Sequence, residues 1–144
     1  MSFLKRLWTI FAAFFRIGTD PRPGWGNLIN RFLTHKNHFA GNRIRRNAFL
    51  PPPDLKLSVF FTGGLSDVEI WRLGEIHVSK KLYGRAELTT AAVAEVGLEI
   101  DPDNTPERHA TVSGWPTQKS AQILYALKLA EKATLVLRSQ QGPS

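Results

Sequence analysis

Leu55-Lys56-Leu57-Ser58-Val59-Phe60-Phe61-Thr62-Gly63-Gly64-Leu65-Ser66-Asp67-Val68-Glu69 decides the fold class. From Leu55 to Val59 apolar and polar side chains alternate, the period of a half-buried strand, and Phe60 and Phe61 extend it with residues that suit a pleated surface. Gly63-Gly64 turns the chain. Ser66 with Glu69 three residues later is a capping box: the Ser66 hydroxyl can accept from the third helical N–H while the Glu69 carboxylate reaches back. A strand, a turn and a helix start within fifteen residues indicate a mixed α and β protein.

Toward the C-terminus the helix begun at Ser66 is expected to stop at Gly74, a residue suited to a left-handed helix end. Glu75–Ser79 alternates and reads as a strand, as do Arg85–Leu88, Leu98–Ile100 and His109–Ser113. Thr89 or Thr90 can cap a short Ala-rich helix ending at Gly97. Asp101–Pro106 is a loop, and Gly114-Trp115-Pro116 ends the strand before it. Thr117 is expected to cap the longest helix, 117–133, with Ile123, Leu124, Leu127 and Ala130 buried and Lys119, Gln122 and Lys132 toward water. Thr134–Arg138 continues it or forms an edge strand, with propensity favouring extension. The polar tail 139–144 reads as mobile. The fold class expected is α+β: a small mixed or antiparallel sheet covered by the C-terminal helix, preceded by a basic helical arm.

Toward the N-terminus, Pro51-Pro52-Pro53 reads as a stiff spacer, and the division expected is an arm at 1–47, a domain at 48–138 and a tail at 139–144. Phe3, Leu7, Ile10, Phe11, Phe14 and Ile17 share one face of an amphipathic helix, with Leu4, Trp8 and Phe15 widening it. Asp20–Gly26 breaks that helix. Asn27 then caps a second, Leu28–Thr34, and 35–47 is a polar, basic loop. The stretch between Arg6 and Arg16 is too short to span a bilayer and lacks a small-x-small cleavage site, so it is expected to be retained.

The charge is divided unevenly. Residues 1–50 carry nine Lys/Arg against one acid, and 51–144 carry ten against eleven, so the formal +7 belongs to the first third. Such a segment favours polyanions: nucleic acid, anionic lipid or an acidic protein face. The absence of cysteine excludes disulfides and thiolate metal sites. Composition allows a packed core without any long uncharged apolar run, so a transmembrane helix is not expected.

Three groups of residues bear on chemistry. Lys36, Arg43, Arg45 and Arg46 are the nucleic-acid-binding candidates, since arginine forks pair with phosphate oxygens and Trp25, Phe32 and Phe39 could stack bases. Phe3, Leu7, Trp8, Phe11 and Phe14 are the partner-binding candidates, offering more apolar surface than one small domain covers. The third group is His77-Val78-Ser79 and His109-Ala110-Thr111, two His-x-Ser/Thr tripeptides thirty-two residues apart. In a strand the imidazole and the hydroxyl two residues on share a face, and two such pairs across a cleft could hold a phosphodiester between a base and an acid. The paired tripeptides are similar to those of the two-histidine phosphoesterases, which process cyclic or 2′–5′ phosphodiesters. The resemblance covers six residues, and Lys80 departs from the apolar residue the pattern has after Ser79. It implies catalytic roles for His77 and His109, with Ser79 and Thr111 beside them; in the phosphodiesterase alternative, Arg85 or Arg108 is expected on phosphate.

Other patterns carry less. His35 and His38 lack carboxylates to complete a metal shell. Asp101, Asp103, Asn104 and Glu107 lack calcium-loop spacing, and no Ser-His-Asp nucleophile elbow is present. No metal and no cofactor is expected. The function expected is a non-enzymatic interaction or accessory protein whose basic arm docks onto nucleic acid, a larger protein or a nucleoprotein assembly. The alternatives are an RNase- or phosphodiesterase-like effector using His77 and His109, and a peripheral membrane protein anchored on anionic lipid by residues 3–17. The location expected is cytoplasmic or membrane-peripheral.

Overall fold

The computed structural model describes residues 25–138, so the helix expected at 3–17, with its partner-binding residues Phe3, Leu7, Trp8, Phe11 and Phe14, and the tail 139–144 lie outside the described residues. The described strands are Leu28–Leu33 (β1), Phe39–Ala40 (β2), Arg43–Ile44 (β3), Leu57–Phe61 (β4), Gly84–Thr89 (β5), Glu99–Asp101 (β6), His109–Ser113 (β7) and Thr134–Leu137 (β8). The helices are Asp67–His77 (α1), Thr90–Val96 (α2) and Lys119–Lys132 (α3). Six strands make one antiparallel sheet in the order β6-β7-β4-β1-β5-β8, and β2 and β3 form a separate hairpin. The fold is mixed α and β, and no described helix is long and apolar enough to cross a membrane.

The sheet has two different faces. Ile29, Leu33, Leu57, Val59, Phe61, Ala86, Leu88, Ala110 and Val112 share one core cluster with Val93 and Val96 of α2 and Ala126, Leu129 and Ala130 of α3. The opposite face is mostly polar, and its apolar part is small: Phe32 and Phe60 with Ile70 of α1 and Leu82. Strand alternation therefore sends Ser58, Arg85, Glu87, His109, Thr111 and Ser113 to the face that α1 only partly covers.

β4, β5, β7, the Thr89 cap and the left-handed Gly97 stop form where the sequence puts them. The Ser66–Glu69 capping box is complete in both directions. Gly63 is required by contact: a Cβ there would lie 1.9 Å from the Trp25 carbonyl oxygen.

Several expectations are corrected. Residues 28–34, read as a helix, contain β1 at the middle of the sheet. Ile29 and Leu33 point to one core cluster and Phe32 to the other, and burial on both faces hides the period of two. Residues 25–47 therefore supply a central strand and a packed hairpin rather than an arm separate from the domain. α1 does not stop at Gly74 but continues to His77, replacing the strand expected at 75–79. Gly74 is there for close packing, since a Cβ would meet the Phe32 ring at 2.6 Å and Leu82 at 2.8 Å. α3 begins at Lys119 with Gln118 as N-cap, not at Thr117. Its buried residues are Gln122, Ala126, Leu129 and Ala130, while Leu124 and Leu127 are exposed. The Gln122 amide donates to the Pro116 and Thr117 carbonyls, which satisfies this buried polar group on the core-facing side of the helix. β8 follows α3 along the β5 edge of the sheet, so 134–138 is extended.

Candidate functional site

Two of the sequence candidates meet. His77, the last residue of α1, and His109, the first of β7, line one cleft of about 380 Å³ on the polar face, with Phe60 between them. The His77 ring stacks on Phe60 at 5.8 Å and 18°, and the His109 ring meets Phe60 edge-on at 5.3 Å and 81°. Arg31 and Lys80 add positive charge to the lining, Thr34, Ser58 and Ser79 add hydroxyls, and none of the lining residues is acidic. A small cleft with converging cations and donors suits a small anion. Ser79 reaches it from the loop after α1 and not from the expected strand, so same-face alternation does not bring it beside His77.

Two of the lining residues, Ser58 and His109, form a relay with Asp103. His109 Nδ1 lies 2.7 Å from Asp103 Oδ1, and His109 Nε2 lies 3.0 Å from Ser58 Oγ. The Thr111 hydroxyl donates to Asp103 Oδ2 at 3.2 Å. Partial burial works against ionisation of Asp103. Bonds from His109, the Thr105 N–H and Thr111 outweigh it and hold the carboxyl below its ordinary value. An ionised carboxylate only accepts, so the His109 Nδ1 carries the proton; the bare Nε2 of the neutral ring then accepts from the Ser58 hydroxyl. Register makes this contact possible. Ser58 pairs with Thr111 and Phe60 with His109, so Ser58 and His109 are diagonal neighbours on one face.

The loop that carries Asp103 is anchored. Asn104 and Arg108 adopt positive φ of 59° and 75°; asparagine tolerates this region, whereas for Arg108 it costs about 1–2 kcal/mol. Arg108 Nη1 donates to the Phe61 and Gly63 carbonyls, and its guanidinium stacks over Trp25 at 5.3 Å. Asn104 Oδ1 accepts from the Arg108 N–H, and the Asn104 N–H donates to the His109 carbonyl. Strained backbone held by such anchors is the pattern of a positioned functional group.

Arg31 holds its place through two carbonyls: Nε donates to Ala48 and Nη1 to Ser58, each at 3.1 Å, which leaves Nη2 without a partner among the described residues. Burial lowers its guanidinium to about 10, so it stays charged at neutral pH. Arg85 and Arg108, the expected phosphate contacts, are committed elsewhere. Arg85 is 2% exposed and bonds Asn30, Glu87 and Asp67, with Trp71 over its guanidinium.

The nucleic-acid-binding candidates lie on the β2–β3 hairpin and its flanks. Lys36, Arg43, Arg45 and Arg46 are exposed, and none has an acidic partner among the described residues. The expected stacking residues are not free: Trp25 and Phe32 are buried, and Phe39 is half-buried. His38 lies just before the hairpin, and its carbonyl accepts from the Arg45 N–H. Its ring is buried, its Nδ1 has no hydrogen-bond partner among the described residues, and burial followed by the charges of Arg31, His35 and Lys80 lowers it to about 4.

Comparison of the chain with protein-family models, with curated proteins and with solved structures returned no match. The sequence candidates omitted Ser58, Asp103, Arg31 and Lys80. Ser58 is one polar residue of an alternating strand, and Asp103 sits in a loop whose acids carried no metal spacing, so neither had a local signal. Only pairing β4 with β7 brings residues 51 positions apart into one relay.

Proposed function

We propose that the protein binds a phosphodiester in the cleft of His77 and His109 and cleaves it by general acid–base chemistry. The observation that carries this reading is the convergence of both histidines with Arg31 and Lys80 on one small cleft without an acidic lining residue. His109, oriented by Asp103, is the base that activates the attacking hydroxyl. His77, across Phe60, is the acid that protonates the leaving oxygen. Arg31 and Lys80 neutralise the non-bridging phosphate oxygens, where charge grows in the transition state.

The test is turnover of bis(4-nitrophenyl) phosphate and a 2′,3′-cyclic nucleotide by the wild type and by His77→Ala and His109→Ala, with circular dichroism to verify folding. Each substitution is expected to lower the rate by about 10²–10⁴-fold. Equal turnover in folded variants, or none by the wild type on either substrate, would overturn the reading.

A second reading is supported by the hairpin: a non-enzymatic protein that docks onto nucleic acid or a nucleoprotein through Lys36, Arg43, Arg45 and Arg46, whose charges are unpaired among the described residues. Fluorescence anisotropy with labelled single-stranded RNA across a salt series tests it. Binding that weakens steeply with salt is expected, and salt-independent or absent binding would sink it.

A further inference from the structure

We infer that Ser58 is the nucleophile of this cleft and that the reaction passes through a covalent phosphoserine. The inference rests on the phosphodiesterase reading and names the group that attacks.

The geometry supplies the three relations a serine nucleophile needs. The hydroxyl is exposed and lines the cleft, so a phosphorus atom can reach it. Its proton has an acceptor in His109 Nε2 at 3.0 Å, and the far nitrogen of that ring is fixed by Asp103 at 2.7 Å. This is the nucleophile–base–orienter order of a hydrolytic triad, recognised by geometry and not by position in the chain. Here it is built across β4 and β7 with no strand-to-helix elbow. Arg31 ties the site together: its Nη1 donates to the Ser58 carbonyl, and the residue is part of the cleft lining.

The steps balance. Ser58 Oγ bonds to phosphorus as its proton passes to His109 Nε2. The bond from phosphorus to the leaving oxygen breaks, and His77 in its protonated form gives that oxygen its proton. Water then attacks the phosphoserine, His77 takes the proton released from the water, and His109 returns its proton to Ser58 Oγ as the phosphorus–serine bond breaks. The sum is a diester and water giving a monoester and an alcohol, with both histidines restored.

The experiment uses a fluorophosphonate probe on the full chain, read by intact mass and peptide mapping, beside turnover of bis(4-nitrophenyl) phosphate by Ser58→Ala and His109→Ala. The expected result is one phosphonyl group on Ser58, added at least about a hundredfold more slowly in His109→Ala and Asp103→Asn, together with loss of turnover in Ser58→Ala. No adduct at Ser58, or full turnover by Ser58→Ala while His109→Ala is inactive, would overturn Ser58 as nucleophile and leave water as the attacking group, with the phosphodiesterase reading intact. A His109-dependent adduct at Ser58 in a protein that turns over no phosphodiester would support the activated serine and overturn the phosphodiester as its substrate.

Discussion

Asp103 separates an oriented imidazole from a free one. Its carboxylate takes bonds from His109, Thr105 and Thr111, and the first of these fixes which ring nitrogen faces Ser58. Asp103→Asn keeps the shape but offers an amide that can donate to Nδ1 and so stabilise the wrong tautomer. Turnover is expected to fall by about 10²–10⁴-fold with little change in KM, as steady-state kinetics would read. The same substitution with an unchanged rate would mean that Asp103 only staples its loop. His38 makes a different prediction. Its folded value near 4 lies below its ordinary 6.5, so the unfolded chain binds a proton that the folded chain refuses. That contribution to stability is complete above pH 6.5 and is lost as pH falls toward 4, with a limiting slope of about 1.4 kcal/mol per pH unit. Urea midpoints of the wild type are expected to fall from pH 7 to 5 more steeply than those of His38→Leu; parallel curves would show that His38 does not drive the loss. Neither residue's role was readable in the sequence: Asp103 reads as turn chemistry because its partners His109 and Thr111 come from β7, and His38 reads as a solvated loop because its burial comes from packing distant in sequence.

α1 shows how one small contact fixes the site. Its start was readable because a capping box is local chemistry, worth about 1 kcal/mol. Its end was not, because Gly74 serves the contact with Phe32 and Leu82 rather than a helix stop. Gly74→Ala drives a methyl group into the Phe32 ring and is expected to destabilise by about 1–3 kcal/mol. If the Phe32 and Leu82 side chains do not give way, α1 has to lift from the sheet and carry His77 away from Phe60, and activity then falls more than stability alone explains at temperatures where the variant remains folded. A thermal melt and a rate measured on one sample decide it. β1 was misread for a complementary reason. Leu28, Ile29, Phe32 and Leu33 satisfy a helical stripe, and Ile29, Phe32 and Leu33 equally satisfy a strand buried on both sides; only the flanking strands β4 and β5 decide between them.

Across the whole molecule, cations line the cleft at Arg31 and Lys80 and are exposed on the hairpin and its flanks at Lys36, Arg43, Arg45 and Arg46. Burial, then the charges of Arg31, His35 and Lys80, disfavour the protonated form of His38, which sits just before β2. The triple substitution Arg43→Ala, Arg45→Ala and Arg46→Ala is expected to lower the salt slope of RNA binding by roughly two to three. An unchanged slope would place the phosphate contacts elsewhere. The uneven charge was readable at once from composition. That part of it lies in a central strand and a packed hairpin was not, because charge counting does not report which segments pair.

The measurement that bears most directly on the account is a two-dimensional ¹H–¹⁵N NMR titration of the protein with adenosine 3′-monophosphate, which carries the phosphate without an extended chain. The expected result is a saturable set of shifts centred on Arg31, Ser58, His77, Lys80 and His109. Shifts confined to the hairpin at 39–46, or no shift at millimolar nucleotide, would contradict the cleft as a phosphate site.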